Sequence, residues 1–392
     1  MVPRSPDDRS TQVVAERLTA QLLAGPPARS PVDVVRRLLA VQGQDARGAR
    51  LSVRARSTGL TADDVDRALT DRALVITWLN RGTLHLVAAE DYWWLHALTT
   101  PQLVTANARR LGQEGVSPDQ TDRGVAVIRA AVRADGPQSR AQLKARLEAA
   151  GVPTRGQALV HVLFAASLRG HVLRGPMHDG EHAFVEVRGW LGEPPAPLPR
   201  EEALARLARR YLAGHGPADA RDLSKWAGIT LADARRGVGA IGADLRDRGD
   251  GLLDLTDRTP PSALPGPRLL GPFDPLLLGW VSREPFVGAH RGVATTNGVI
   301  RPVALAGGRV VATWSLAAGI VTIQLLEPVP VRVQRELAQD AAEVLRFLGL
   351  PPRPPQYLQH HSEYPGDGPD QDVRGEKYAG EGGGTPGSAL AG

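Results

Sequence analysis

One arrangement of elements recurs three times along the chain, and it constrains the fold more than any single motif does. Each copy consists of short helices followed by β-prone runs. In the first copy, residues 74–79 and 83–87 flank Asn80-Arg81-Gly82, a sequence typical of a tight hairpin turn. Ala134-Asp135-Gly136-Pro137 and Gly214-His215-Gly216-Pro217 lie at equivalent places between the first and second helices of the later copies. Helices followed by a hairpin indicate a winged helix, so the repetition predicts tandem winged-helix units.

The predicted fold class is α+β and mainly α, with tandem winged-helix (helix-turn-helix) repeats and a C-terminal β-rich region. A length of 392 residues allows two or three compact units or more. A proline-rich linker at 259–267 precedes the β-prone runs, and the end of the chain is rich in Gly, Asp and Pro. The predicted domains are winged-helix units at 1–115, 116–192 and 193–262, a β-rich domain at 263–360 and a disordered tail at 361–392.

Local signals predict where individual helices begin and end. Apolar residues at helical spacing predict a helix over 10–24, which Gly25-Pro26-Pro27 would end. Further helices begin at polar residues whose side chains can cap them: Ser30, Asp45, Thr61 together with Asp64, and Ser139.

Composition excludes several classes of protein. Cysteine is absent, so disulfide scaffolds, thiolate metal sites, iron-sulfur clusters and cysteine nucleophiles are excluded. The chain has no run of about 18 apolar residues, and its start lacks a secretory pattern. We therefore expect a soluble, unprocessed cytoplasmic protein without a membrane partner.

Arginine dominates the positive charge. Lys+Arg 47 against Asp+Glu 42 gives a net charge of +5, and the lysines are only Lys144, Lys225 and Lys377. Arginine binds phosphate and guanine edges in bidentate fashion, which favours nucleic acid as a partner. A GC-rich coding sequence also produces a chain rich in Ala, Arg, Gly and Pro, so the charge alone leaves DNA binding open.

Two local features carry candidate chemistry. Gln42-Gly43-Gln44-Asp45 places two amides and a carboxylate where one helix ends and the next begins, and the alternative interpretation is that these side chains only cap helix ends. In the hairpin, Arg81 lies at the tip, where a solvated turn is the default. His85 alternates with Leu84 and Leu86, so it faces away from them and can line a cleft.

Other kinds of site are not supported. His178 with His182, and His360 with His361, lie on predicted loops without the convergent geometry that a metal needs, so no metal site is expected. Walker A, dinucleotide-binding and Gly-x-Ser-x-Gly motifs are missing. We expect neither a nucleotide cofactor nor any other.

Several ordered motifs over roughly residues 10–350 resemble the AlkZ/YcaQ-like winged-helix family of bacterial DNA glycosylases. They are Gln42-x-Gln44-Asp45, Thr77-Trp78-Leu79-x-Arg81-Gly82-Thr83-Leu84-His85-Leu86-Val87 with Glu90-Asp91-x-x-Trp94, Gly216-Pro217-x-x-x-x-Asp222-Leu223-x-x-Trp226, and Phe273-Asp274-Pro275-x-Leu277-Leu278-Gly279. The sequence departs from the family pattern at Gly43, where an apolar residue is usual, and at Ala312, where Gly often precedes Thr-Trp.

The resemblance implies a C-shaped protein that embraces DNA and removes N7-alkylated purines. Some members unhook interstrand crosslinks or protect against alkylating natural products. It implies that Gln42 and Gln44 are the catalytic pair. Asp45 and His85 are auxiliary candidates, and Arg47 and Arg81 are the favoured DNA contacts.

A second class of function stays open, that of a winged-helix DNA-binding protein or regulator without catalysis. Regulators are usually symmetric dimers with one winged helix per half-site. Three unlike copies in one chain suit instead a monomer that wraps one lesion in double-stranded DNA. We therefore expect a monofunctional alkylpurine glycosylase that is associated with the nucleoid.

Overall fold

The computed structural model describes residues 6–178, 180–295 and 298–358. The α-helices are α1 (Pro6–Ala20), α2 (Pro31–Leu38), α3 (Ala46–Arg54), α4 (Ala62–Thr70), α5 (Tyr92–Thr99), α6 (Pro101–Gln113), α7 (Pro118–Ala134), α8 (Arg140–Ala149), α9 (Ala158–Leu168), α10 (Val187–Leu191), α11 (Arg200–His215), α12 (Ala220–Ala227), α13 (Leu231–Ala240), α14 (Glu284–Val287) and α15 (Val331–Phe347). The strands are β1 (Val41–Gln42), β2 (Leu74–Leu79), β3 (Thr83–Ala88), β4 (Val172–His178), β5 (Glu181–Glu186), β6 (Leu245–Asp247), β7 (Leu253–Leu255), β8 (Arg268–Leu270), β9 (Val303–Ala306), β10 (Arg309–Ala317), β11 (Ile320–Leu325) and β12 (Gln356–Leu358). The chain combines helices with sheets, and the helices contribute more residues than the strands, as predicted.

The capping signals are confirmed. The Ser30 hydroxyl accepts a hydrogen bond from the Asp33 amide at 3.1 Å, and Ser139 accepts one from the Gln142 amide at 3.2 Å. At α4, the Thr61 amide donates to Asp64 Oδ2 at 2.8 Å. These side chains satisfy amides that the first helical turn leaves without a partner.

The bounds predicted for the first helix are wrong by several residues at both ends. The helix begins at Pro6 rather than at residue 10, and it ends at Ala20 rather than at residue 24. The amides of Leu23 and Ala24 both donate to the Leu18 carbonyl, and Leu22 has a φ of 57°. This turn closes the helix before Gly25-Pro26-Pro27 is reached.

The first and second hairpins belong to one antiparallel sheet, whose strand order is β1-β3-β2-β4-β5. Within it, β2 pairs with β3 along its whole length, whereas β2 meets β4 at Ile76 and Arg174. The two hairpins that the repeats assign to separate units therefore lie side by side and continue each other's sheet.

Both faces of this sheet are buried. Leu74, Ile76 and Trp78 point to one face and belong to a core with residues of α7 and α9. Val75 and Leu79 point to the other face and belong to a core with residues of α5 and α11. Burial on both faces explains why β2 is an almost continuous apolar run rather than an alternating one.

The segment predicted to be the third repeat contains α11, α12 and α13 and a separate two-stranded hairpin, β6 and β7. Asp219 caps α12 by accepting hydrogen bonds from the amides of Arg221 and Asp222 at 2.7 and 2.8 Å. The strand expected near 251–255 is present as β7, and its partner β6 was not predicted.

The C-terminal region is built on a five-stranded sheet of order β12-β11-β10-β9-β8. It also contains the 17-residue helix α15, which the sequence analysis did not predict. Leu337, Ala341 and Val344 of that helix are fully buried. The tail predicted for 361–392 lies outside the described residues.

The Phe273-Asp274-Pro275 motif joins the C-terminal region to the segment that follows α3. Asp274 receives two hydrogen bonds from the Arg56 guanidinium, at 2.8 and 2.9 Å, and both side chains are fully buried. Removing one partner of such a pair leaves an uncompensated buried charge. The motif thus connects the segment just after α3 to the C-terminal region.

Candidate active site

Gln42 ends the short strand β1 at the edge of the first sheet. The register of β1 with β3 places Gln42 directly opposite His85. Residues that oppose each other in an antiparallel pair carry their side chains on the same face, with Cβ atoms about 5 Å apart. Gln42 is only 8% exposed, yet its side-chain amide has no hydrogen-bond partner among the described residues and keeps some solvent contact. This amide is available to a water molecule or a ligand.

His85 is buried and neutral. Burial, and then the positive charge of Arg81, lower the pKa of His85 to about 3. Its Nδ1 lies 2.8 Å from the Thr83 carbonyl oxygen, which can only accept a hydrogen bond, so Nδ1 carries the proton. The neutral ring therefore presents an unprotonated Nε2, which has no partner among the described residues.

Thr77 extends this polar row to a third strand. It lies opposite His85 in the pairing of β2 with β3, so Gln42, His85 and Thr77 share one face. Thr77 is fully buried, and its hydroxyl lies 3.2 Å from that of Ser167. The sequence analysis quoted Thr77 only as part of the hairpin motif.

Gln44 is held against β3 by its own side chain. The Gly43 amide donates to the Leu84 carbonyl at 2.7 Å, and the Leu84 amide donates to Gln44 Oε1 at 3.3 Å. The side-chain carbonyl thus takes the place that a backbone carbonyl would have if β1 continued. This contact fixes the direction of the half-buried Gln44 amide.

Asp45 caps α3, as predicted. Its Oδ1 accepts a hydrogen bond from the Gly48 amide at 2.5 Å. Gly48 is required there because a Cβ atom would lie 2.5 Å from the Pro272 carbonyl oxygen. The cap positions the helix that follows the two glutamines.

Arg81 connects the first hairpin to α12. Its Nη1 donates to the carbonyls of Lys225 and Trp226 in the last turn of that helix, at 3.1 and 3.3 Å. Partial desolvation, and then the charge of Arg283, lower the pKa of Arg81. The predicted solvated turn is therefore in contact with the third repeat.

Arg47 lies on the exposed side of α3, in the turn after the Asp45 cap. Its Nη1 is 3.4 Å from the Leu316 carbonyl oxygen near the end of β10. Arg47 thus lies where α3 meets the C-terminal sheet.

His178 and His182, which were predicted to lie on loops, lie instead at the end of β4 and within β5, because these two strands pair up to their connecting turn. His182 lies with Nε2 3.4 Å from Arg50, and burial, then Arg50 and Arg174, lower its pKa to about 3. Across the described ranges, no group of three or more His, Asp or Glu side chains is arranged to hold a metal ion. His360 and His361 lie outside those ranges. None of the described helices is long and apolar enough to span a membrane.

Three comparisons with known proteins agree on one family. The chain is 29% identical over 364 residues to a protein of Streptomyces sahachiroi named interstrand DNA cross-link repair glycosylase, covering 86% of this chain and 96% of the relative. The solved structure of the Streptomyces sahachiroi DNA glycosylase AlkZ superposes with a TM-score of 0.73 at 27% identity, covering 89% of this chain and 99% of that one. The family model described as DNA glycosylase AlkZ-like matches residues 35–347. The chain belongs to the AlkZ-like DNA glycosylase family.

Proposed function

We propose that this protein is a monofunctional glycosylase that hydrolyses the N-glycosidic bond of N7-alkylated purines in double-stranded DNA. We include bulky adducts and interstrand crosslinks among its substrates, because the relative from Streptomyces sahachiroi is named for crosslink repair. Self-resistance to a DNA-alkylating natural product is the setting that fits such substrates. The observation that carries the proposal is the pairing of Gln42 with a neutral His85 on one face of the sheet.

The chemistry of the lesion suits these two groups. An N7-alkylguanine is cationic, so its glycosidic bond is already weakened and the base leaves as a neutral molecule. Departure of the base leaves an oxocarbenium-like sugar that water must attack. The Gln42 carbonyl and His85 Nε2 both accept hydrogen bonds, so together they can orient one water molecule toward the sugar carbon.

Gln44, Asp45 and Arg47 each have a role in this proposal. Gln44, whose direction Leu84 fixes, places its amide dipole beside the developing positive charge. Asp45 adds negative charge near the same point while it caps α3. Arg47 contacts the DNA backbone from the exposed side of that helix.

We interpret the three helix and hairpin groups as tandem winged-helix units, with the boundaries 1–115, 116–192 and 193–262 and a β-rich domain at 263–360. Unlike copies in one chain fit a monomer that surrounds a single lesion. The proposed reaction needs only water as its second substrate, so it requires neither a metal nor a nucleotide cofactor. A chromosomal substrate places the protein with the cytoplasmic nucleoid.

A duplex that carries a single 7-methylguanine tests the proposal. Excess protein should release the free base in single-turnover reactions and leave an intact strand that breaks only when alkali cleaves the abasic site. Borohydride should trap no covalent complex with DNA, since a monofunctional enzyme forms no Schiff base. Tight duplex binding without base release would instead favour the non-catalytic DNA-binding protein.

A further inference from the structure

We infer that Arg81, Lys225 and Arg283 form one phosphate-binding site, which holds the DNA backbone at the turn of the hairpin that carries His85. We call these three residues the cationic cluster. The inference rests on the proposed function only in taking DNA as the ligand. It adds two residues, Lys225 and Arg283, that no motif in the sequence assigned to DNA.

Three separate segments bring the cations together. Arg81 comes from the turn between β2 and β3, Lys225 from the last turn of α12, and Arg283 from the segment just before α14. Arg81 Nη1 donates to the Lys225 carbonyl at 3.1 Å, and Lys225 Nζ donates to the Val281 carbonyl at 3.1 Å. Arg283 Nε donates to the Leu277 carbonyl at 2.7 Å. Each head group therefore bonds to backbone oxygens and keeps further N–H donors for a ligand.

The hairpin turn and the end of α12 pack tightly enough to fix this arrangement. Gly228 follows α12 with a left-handed φ of 68°, and a Cβ atom there would lie 2.6 Å from the Asn80 carbonyl oxygen. Only glycine satisfies both constraints. The distance between the backbone of Arg81 and that of Lys225 is thus set by the fold.

The cluster lacks the acidic partners that other arginines have. Arg54, Arg56 and Arg210 pair with Asp340, Asp274 and Asp91 at 2.8–2.9 Å. In the described part of the chain, no member of the cationic cluster forms an ion pair with a carboxylate. The nearby Asp222 is engaged by the amides of Asp219 and Val281.

The positive charges of the cationic cluster repel one another, and burial together with this repulsion lowers the pKa of Lys225. Partial burial, and then Arg283 and Arg81, lower the pKa of Lys225, against an opposite effect of Asp222. Keeping three like charges together without counter-ions opposes folding, whereas a bound polyanion would relieve the repulsion. Phosphate oxygens are acceptors that suit both guanidinium and ammonium groups.

The cationic cluster and His85 of the candidate active site share the β2–β3 hairpin. Arg81 lies in the turn of the β2–β3 hairpin, and His85 lies four residues further along, on β3. The charge of Arg81 contributes to the low pKa of His85. A phosphate held by the cluster would lie at the end of the hairpin whose strand β3 carries His85. Backbone contacts of this kind set the register of a protein on the duplex without reading its sequence.

Charge-neutral variants test the inference on an undamaged duplex, so the result does not depend on base release. Lys225→Gln, Arg283→Gln and the double variant remove positive charge from the cluster. Arg332→Gln removes one from an 85% exposed side chain on α15 and is the matched control. Thermal unfolding should establish that all four variants are folded before their affinities are compared.

Each single variant should reduce the slope of log affinity against log salt by about 0.9, and the double variant by about twice that amount. Raising the salt from about 50 to about 200 mM weakens binding by some factor in the original protein. For each contact removed, that factor should be about threefold smaller. The control should keep the original slope. A slope unchanged in the double variant, or reduced equally by Arg332→Gln, would overturn the inference.

A complementary measurement leaves the protein unaltered and neutralises single phosphates of the duplex as methylphosphonates. The original protein should lose affinity at one or two positions, and the double variant should lose none at those same positions. Equal losses for both proteins at every position would also overturn the inference. Absence of base release from 7-methylguanine, with the slope changes present, would reject the proposed activity and leave the cluster intact.

Discussion

Gln42 and His85 lie directly opposite each other in the pairing of β1 with β3, and the two side chains share one face of the sheet. The imidazole donates through Nδ1 to the Thr83 carbonyl, so its other nitrogen is an acceptor. Among the described residues, neither the Gln42 amide nor His85 Nε2 has a hydrogen-bond partner, so two free polar groups are brought together at the edge of a sheet.

Gln42→Ala and Gln44→Ala should each lower the single-turnover rate of base release by about 100-fold or more, since each removes a group that orients water or faces the developing charge. Affinity for the duplex should change little, because phosphate contacts supply most of it. Gln113→Ala, at an exposed position on α6, is the matched control. Gel-shift affinity and excision measured on the same preparations check this, and full activity in both glutamine variants would remove the catalytic assignment.

Selectivity should follow the charge of the leaving base. Small and bulky N7-alkylguanines should be released, whereas uracil and normal guanine should not. Two amides and a neutral imidazole provide no acid to protonate a neutral leaving base. Oligonucleotides with each base in one sequence context measure this, and efficient release of uracil would contradict the mechanism.

Titration of His85 should not change the rate of base release between about pH 5 and pH 8. Burial and Arg81 hold its pKa at about 3, so the imidazole stays neutral and keeps its acceptor throughout this range. A single-turnover pH profile, corrected for spontaneous depurination, tests this expectation. A decline toward low pH with a midpoint near the ordinary histidine pKa of about 6.5 would show that His85 titrates as an exposed group.

Gly43→Ala should be tolerated and should raise the free energy of unfolding by about 0.4–1 kcal/mol. Gly43 does not have a positive φ, and a Cβ atom there would lie 3.5 Å from the Leu86 amide nitrogen and 3.6 Å from Ile76 Cγ2, which are ordinary contacts. The glycine between the two glutamines is therefore not required by the backbone. Chemical denaturation measures the change, and base release should persist.

Gly48→Ala is the matched control for that substitution. Its Cβ would meet the Pro272 carbonyl oxygen at 2.5 Å, so the same chemical change should destabilise the protein by more than about 1 kcal/mol. Similar changes in the free energy of unfolding for Gly43→Ala and Gly48→Ala would contradict the prediction that the space for a Cβ atom differs between the two positions.

The sequence alone determined the features that depend on neighbouring residues. Ser30, Asp45 and Ser139 cap their helices as predicted, because a cap joins groups only two or three residues apart. The first hairpin followed from its turn and its β-prone runs for the same reason. Helix α5 was missed because most of its positions are buried, so it lacks the one-sided apolar pattern that identifies a surface helix.

Tertiary structure alone decided which distant residues meet. The strand β1 has two residues, too few to carry a periodic signal, yet its pairing places Gln42 opposite His85. Likewise, Lys225 and Arg283 reach Arg81 only because α12 and the segment before α14 pack around the first hairpin. Local propensity contains no information on such contacts, since they form when separate apolar faces are buried against one another.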